Sequence, residues 1–270
     1  MKPKGYLVFH LNLAFSSIEE DAREDIIKAC YHNLLDLIEE TGIPIGIELT
    51  GWTLKQIDRI DSTWIERFKN LLSSGKCELV GSGYCQIIGP LVPYKVNEWN
   101  QRLGIKTYKE MLGCRPNIIL VNEMAFSSSL VDLYSSFGYT GLIMDRDNVR
   151  LALDLKNLPM SGVPSHAKGP SGSVLQVLWS DSILFQKVQH FAHGDITIDN
   201  YLDYLNKRIN NGETLLPIYT NDAEIFDYRP GRFSIERPTH PDGEWNRIKN
   251  LLEAIILNTG IKFCSPSQAL

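Results

Sequence analysis

The 270-residue chain has few cysteines, few histidines, no cluster of positive charge and no long apolar run. Its five cysteines, Cys30, Cys77, Cys85, Cys114 and Cys264, include no CxxC pair and no regular spacing. That pattern argues against a disulfide framework and a zinc ribbon, and reads as buried thiols in a reducing compartment. No segment approaches the roughly 18 uninterrupted apolar residues of a membrane span. The opening Met1-Lys2-Pro3-Lys4-Gly5 leads into an apolar run that reaches Asn12 too early for a signal-peptide core, so we expect a cytoplasmic protein with no membrane partner. The 27 Lys and Arg residues are dispersed and the net charge is −5, which leaves no basic patch for a nucleic acid and favours an uncharged substrate. There is no Walker-type loop, and Gly81-Ser82-Gly83 lacks the last glycine of a dinucleotide fingerprint, so no nucleotide cofactor is expected. No Gly-x-Ser-x-Gly elbow follows any strand, which removes serine hydrolysis.

What is present is an alternation of short β-rich runs with longer segments of helical period. At 43% hydrophobic content the chain can bury the core of one large α/β domain. Candidate strands fall at 5–12, 44–49, 77–82, 116–121, 140–144, 173–179, 215–220 and 260–264. A helix is expected between the first two: Ser17 and Glu20 have capping-box spacing, Ile26, Cys30, Leu34 and Leu37 form one stripe, and Gly42 is placed to end it. Further helices are expected at 62–74, 96–112, 128–137, 197–210 and 244–258. Helical crossovers force parallel pairing, and seven or eight such units close more naturally into a barrel than into an open sheet, the alternative reading. The expectation is one α/β domain over 1–270, a parallel (β/α) barrel. Residues 145–172, rich in proline and glycine, read as a long surface excursion.

In parallel barrels reactive groups gather where the strands end. Strand one ends in His10-Leu11-Asn12, strand two in Glu48-Leu49-Thr50-Gly51-Trp52, and strand three in a loop reaching Gln86. The apolar fourth strand runs into Asn122-Glu123; later strands end at Asp145, at Trp179-Ser180-Asp181 and at Asn221-Asp222-Ala223-Glu224. Two carboxylates about 5 Å apart across a sugar are what double displacement requires, one attacking the anomeric carbon and one protonating the leaving oxygen. Glu123 and Asp222 are the candidates for that catalytic pair, set against the plain reading of solvated rim carboxylates.

Four ordered segments resemble glycoside hydrolase family 57. Tyr6-Leu7-Val8-Phe9-His10-Leu11-Asn12-Leu13 looks like its opening strand, usually His-x-His, with Asn12 at the second position. Cys77-Glu78-Leu79-Val80-Gly81-Ser82 looks like its second signature, with Gln86 where a histidine is often found. Asn122-Glu123-Met124-Ala125 is similar to the segment of the nucleophilic glutamate, without the usual preceding tryptophan and proline. Asn221-Asp222-Ala223-Glu224-Ile225-Phe226, followed by Pro230-Gly231, resembles the segment carrying the acid/base aspartate, and residues 261–267 look like the last barrel strand and turn. The resemblance implies a distorted seven-stranded barrel and a metal-independent retaining mechanism, with no cofactor. It also implies an α-linked oligo- or polysaccharide as carbohydrate substrate. Members carry a helical region after the barrel for which this chain has no room, so the chain is expected to be a fragment or to have a more open site.

Around the pair, His10, Asn12, Trp52, Gln86, Asp145, Trp179, His193 and Glu224 are the candidate substrate-binding residues. His10 and Asn12 share a face and suit sugar hydroxyls, or His10 merely satisfies a core hydrogen bond. Trp52 and Trp179 at strand ends suit stacking on a pyranose, whereas Trp64, Trp99 and Trp245 on helices suit packing. His193 is a loop histidine with functional and structural readings evenly matched. Glu224 shares a face with Asp222 and suits holding a neighbour in place or starting a helix. Arg229 and Arg232 are read first as solvated loop charges. Two competing functions stand beside the glycosidase. One is a metal-dependent polysaccharide deacetylase using His10, His190, His193, Asp145 and Asp222, although its Asp-Asp pair and His-x-x-x-His are missing. The other is a non-catalytic sugar-binding relative.

Overall fold

The computed structural model describes residues 2–15, 18–152, 165–229 and 238–270. Its strands are β1 (Lys4–Leu11), β2 (Ile45–Leu49), β3 (Cys77–Val80), β4 (Ile118–Leu120), β5 (Gly141–Asp145), β6 (Ser165–Lys168), β7 (Val174–Ser180), β8 (Leu215–Asp222) and β9 (Lys262–Phe263). Parallel pairing runs β3-β2-β1-β8 in one sheet and β4-β5-β7 in the other. A bridge from Gly81 to Ile119 joins the two, with backbone hydrogen bonds of 2.8 Å from Gly81 N–H to the Ile118 carbonyl and from Leu120 N–H to the Gly81 carbonyl. Gly81 suits this junction because a Cβ there would meet the Tyr139 hydroxyl at 2.8 Å and the Pro116 ring at 2.9 Å. Seven parallel strands thus make the distorted (β/α)7 barrel. At the seam between β7 and β8 the Ser180 and Thr220 hydroxyls bond at 2.6 Å, both fully buried.

Side-chain alternation along each strand separates the inside of the barrel from its coat. Tyr6, Val8, Val80, Ile118, Leu120, Ile143 and Leu178 meet in the interior. Leu7, Phe9 and Leu11 on β1, with Ile45, Ile47 and Leu49 on β2, pack outward against the helices of one side. Ile119, Leu142, Met144 and Trp179 pack outward on the other. The helical coat includes Trp64 and Phe68, whose rings meet at 4.9 Å between centres, tilted by 40°, and are fully buried. Truncating Phe68 to alanine would cost about 3–5 kcal/mol.

Helices occupy Ser62–Ser73, Tyr94–Leu112, Ser128–Ser136, Ile198–Asn210 and Glu244–Thr259, where helical period places them. The first crossover begins as a 3-10 turn at Glu20–Ala22, contains a π-type stretch at Ile27–His32 and ends at Gly42, whose φ of 64° is the left-handed stop. Ser17, the expected cap, lies outside the described residues, as do Pro230, Gly231 and Arg232. Besides the short helices Arg146–Ala152 and Pro266–Ala269, two longer ones escape the sequence reading, Gly51–Ile60 and Ser182–Ala192. Each follows its strand after one capping residue: Thr50 Oγ1 accepts from Thr53 N–H at 3.0 Å, and Asp181 Oδ1 accepts from Leu184 N–H at 3.0 Å. With no loop between the elements, the sequence carries no punctuation there.

The closing strand is not an eighth stave. β9 pairs only Lys262 and Phe263 with Lys4 and Gly5, below the point where β2 begins to pair. The excursion after β5 is partly ordered, with a helix at Arg146–Ala152 and β6 antiparallel to β7. The cysteines are free thiols, but Cys85 is exposed and Cys114 only half-buried, so not all are core thiols. Trp99 is 58% exposed rather than packed. Among the described residues no helix is long and apolar enough to cross a membrane.

Candidate active site

Three neighbouring strands place one ionisable group each at the mouth, in register. His10 on β1 pairs with Glu48 on β2 and with Asp222 on β8. By the alternation that sends Phe9 and Leu11 outward, all three point inward. His10 Nδ1 lies 3.3 Å from Glu48 Oε2. Burial pulls the imidazole down, but the hydrogen bond and charge of Glu48 and the charge of Asp222 outweigh it and raise its pKa above the ordinary 6.5. Its other nitrogen, Nε2, is buried without a partner. Asp222 is raised from 3.8, first by burial and then by Glu48 and Glu123, against the opposing charge of His10.

Glu123 approaches from the opposite sheet. It stands exposed at the rim, just after β4, with φ 53° and ψ 18°, and Met124 follows at φ 51°. Two consecutive non-glycine residues in the left-handed region cost on the order of 1–3 kcal/mol each, a strain that tends to gather at functional sites. Asn122 anchors the turn: the Ser82 hydroxyl donates to its Oδ1 at 2.9 Å, and its Nδ2 donates to the Ser82 carbonyl at 3.2 Å.

Glu123 and Asp222 line one cavity of about 310 Å³, together with His10, Glu48, Asn12, Gln86, Asp145, Ser180 and Thr220. A second cavity of about 410 Å³ continues outward past Trp52, Thr50 and Ile88, and shares Asn12, Phe15, Gln86 and Glu123 with the first. Trp52 is half-buried on the first turn of Gly51–Ile60, with the Arg23 guanidinium 5.1 Å from its ring. Asp145 is 5% exposed and spends both oxygens locally, Oδ1 accepting from Asn148 N–H at 2.8 Å and Oδ2 from the Ser182 hydroxyl at 2.7 Å.

Glu224 sits behind the cavity wall. Its Oε1 accepts from the Asn12 N–H at 2.6 Å and from the Tyr31 hydroxyl, and burial followed by the charge of Asp222 pushes its pKa up to about 7. It therefore braces the strand ends and does not line the cavity. His193 is likewise outside, its Nε2 donating to the Ile225 carbonyl at 3.4 Å and lying 3.9 Å from Glu244. Trp179 does not face the cavity. Its neighbours Leu178 and Ser180 point inward, so its ring turns outward into the coat, where Nε1 donates to Ser165 Oγ at 3.1 Å. Its stacking expectation fails on strand parity. His190 is engaged with Asp195 at 3.0 Å on an exposed helix end, away from His10. Among the described residues no three His, Cys, Asp or Glu side chains are grouped to hold a metal, so the donor set of the deacetylase reading is not assembled.

The residue that sequence reasoning left out is Glu48. Its signal was present: it is the one charge in Ile45–Leu49, a strand buried at every position. A carboxylate in such a strand needs a partner or a cavity.

This arrangement has relatives. An alpha-amylase of Pyrococcus furiosus is 21% identical over 211 residues, 78% of this chain and 31% of the amylase, so the chain spans about a third of that relative's length. The crystal structure of a 4-alpha-glucanotransferase from Thermococcus litoralis superposes with a TM-score of 0.78 at 16% identity, covering 100% of this chain and 40% of that one. A family 57 branching enzyme from Pyrococcus horikoshii gives 0.69 at 14% identity, over 99% of this chain and 70% of the other. At such identities the structural likeness speaks for the fold. The sequence match is wider: residues 8–270 fit the family described as Glycosyl hydrolase family 57, and the chain belongs to that family.

Proposed function

We propose that this chain is a retaining glycoside hydrolase or glycosyltransferring enzyme acting on an α-linked glucan or oligosaccharide, with Glu123 as nucleophile and Asp222 as acid/base. The observation that carries the reading is that these two carboxylates, from opposite sheets of the barrel, face a single cavity. The alpha-amylase and 4-alpha-glucanotransferase relatives support an α-glucan.

The electrostatics suit two steps. In the first, Glu123 attacks the anomeric carbon while Asp222, whose raised pKa favours its protonated form, passes a proton to the leaving oxygen. Once Glu123 is esterified its charge is gone, and one of the influences holding the proton on Asp222 is removed. Asp222 then ionises more readily and takes a proton from the water or sugar hydroxyl that attacks the ester. His10 Nε2 is free to meet a sugar hydroxyl, and Trp52, which lines the outer cavity, meets the next residue of the glucan. In this reading Asp145, bonded on both oxygens, shapes the wall. The five free thiols support a reducing, cytoplasmic setting.

The test is the anomeric outcome. Proton NMR of maltooligosaccharide cleavage should show the α-anomer first, and Glu123→Gln and Asp222→Asn should each lower kcat by about 10³-fold or more with unchanged melting. Initial release of the β-anomer, or full activity in either variant, would overturn the reading.

A further inference from the structure

The side chains shared by the two cavities form a chain of hydrogen bonds. Ala14 N–H donates to Asn12 Oδ1 at 3.0 Å, Asn12 Nδ2 donates to Gln86 Oε1, and Gln86 Nε2 donates to Glu123 Oε1 at 2.7 Å. Its direction is fixed from both ends. A backbone N–H only donates and an ionised carboxylate only accepts, so each amide between them has one workable orientation. The supports are also fixed. Asn100 grips the backbone before Gln86, its Oδ1 accepting from Tyr84 N–H at 3.0 Å and Cys85 N–H at 2.7 Å, and its Nδ2 donating to the Cys85 carbonyl at 3.0 Å. The Asn12 backbone is held by Glu224. Among the described residues Gln86 is the side chain that donates to the Glu123 carboxylate, and the Glu123 backbone lies in a region few glutamates adopt.

We propose that Asn12 and Gln86 act as positioning residues through a directional amide relay that aims Glu123 Oε1 and holds it at the boundary between the inner and outer cavities. The proposal rests on the assignment of Glu123 as nucleophile. It gives a physical role to the two places where the chain departs from the histidines of its family. Carboxamides do not titrate, so the relay keeps one polarity across the working pH range. An imidazole reverses donor and acceptor with its tautomer.

The probe is α-maltosyl fluoride, whose leaving group needs little help from an acid, so the single-turnover rate of fluoride release reports the attack by Glu123. Gln86→Leu removes the last donor and should lower the single-turnover rate about tenfold, about 1.4 kcal/mol, with the half-saturating concentration within about threefold. That is the low end for a hydrogen bond to a charged group, because solvent reaches Glu123 and Gln86. Asn12→Asp removes the donor to Gln86 and turns its amide, so that Oε1 faces the carboxylate; it should cost at least as much as Gln86→Leu and more than Asn12→Ala. In the double variant the second change should cost less than about threefold, since the relay is already broken. If Gln86→Leu does not fold, Gln86→Met serves in the same cycle. Costs that simply multiply, or Asn12→Ala worse than Asn12→Asp, would overturn the relay and leave the function standing. A folded wild type that leaves α-maltosyl fluoride and maltooligosaccharides intact would end the functional reading and the relay with it.

Discussion

Replacing Glu224 by glutamine should remove a pH-dependent weakness of the fold. Glu224 is 9% exposed, and its pKa is raised by burial and by Asp222 from 4.5 to about 7. A raised acid binds its proton more tightly in the folded chain than in the unfolded one. Stability from this group is therefore present below about pH 4.5, is lost as pH climbs towards 7, and stays lost above. At 1.36 kcal/mol per pH unit the span from 4.5 to about 7 amounts to about 3 kcal/mol. Glutamine keeps an oxygen in place to accept from the Asn12 N–H and the Tyr31 hydroxyl, so the packing survives. Asp222 titrates in the same direction, but it is present in both proteins and largely cancels in the difference. Urea unfolding of wild type and Glu224→Gln from pH 4.5 to 8.5 should give curves that meet at the acid end and part by about 3 kcal/mol above pH 7, with glutamine the more stable. In thermal melts that is about 6 °C for a chain of this size. Parallel curves, or a glutamine variant that is weaker at pH 8, would refute the electrostatic account of this carboxylate.

Glu48→Gln should lower the His10 pKa, because the hydrogen bond and charge that raise it are removed; imidazole NMR titration reads this directly. The stability His10 supplies is present below 6.5 and fades as pH rises through its folded value, so the variant should lose most at acid pH. Trp179→Phe should leave KM within about twofold while lowering the melting temperature, whereas Trp52→Ala should raise KM for oligosaccharides by up to about tenfold; the reverse would contradict the strand parity. Ser180→Ala strands the Thr220 hydroxyl at the seam and should cost about 1 kcal/mol in urea unfolding; an unchanged midpoint would show that the bond holds nothing.

The barrel was readable because its signals are local. Apolar runs of strand length recur between segments of helical period, and glycines such as Gly42 and Gly113 stand where helices stop with φ of 64° and 72°. Two of the misses share a cause, information that lives between strands. Trp179 reads as a strand-end aromatic, but only register with β5, which places Asp145 beside Ser180, tells which way the ring turns. Glu48 becomes a site residue only once it is seen beside His10. The helices at Gly51–Ile60 and Ser182–Ala192 were hidden because a single capping residue leaves no loop to read. β6 pairs in the opposite sense from every other strand and lies within a segment whose composition reads as loop. The convergence of Glu123 and Asp222 was inferred from where strands end in a barrel, and both do line one cavity.

The central claim is that Glu123 makes a covalent bond to the sugar. Incubation with a fluorinated α-glycosyl fluoride that forms its ester faster than it loses it, followed by proteolysis and mass spectrometry of the peptides, reads that bond. The account predicts one glycosyl group per chain, on the peptide containing Asn122-Glu123-Met124 and absent in Glu123→Gln. Label on Asp222, Glu48 or any other residue, or turnover without any label, would contradict it.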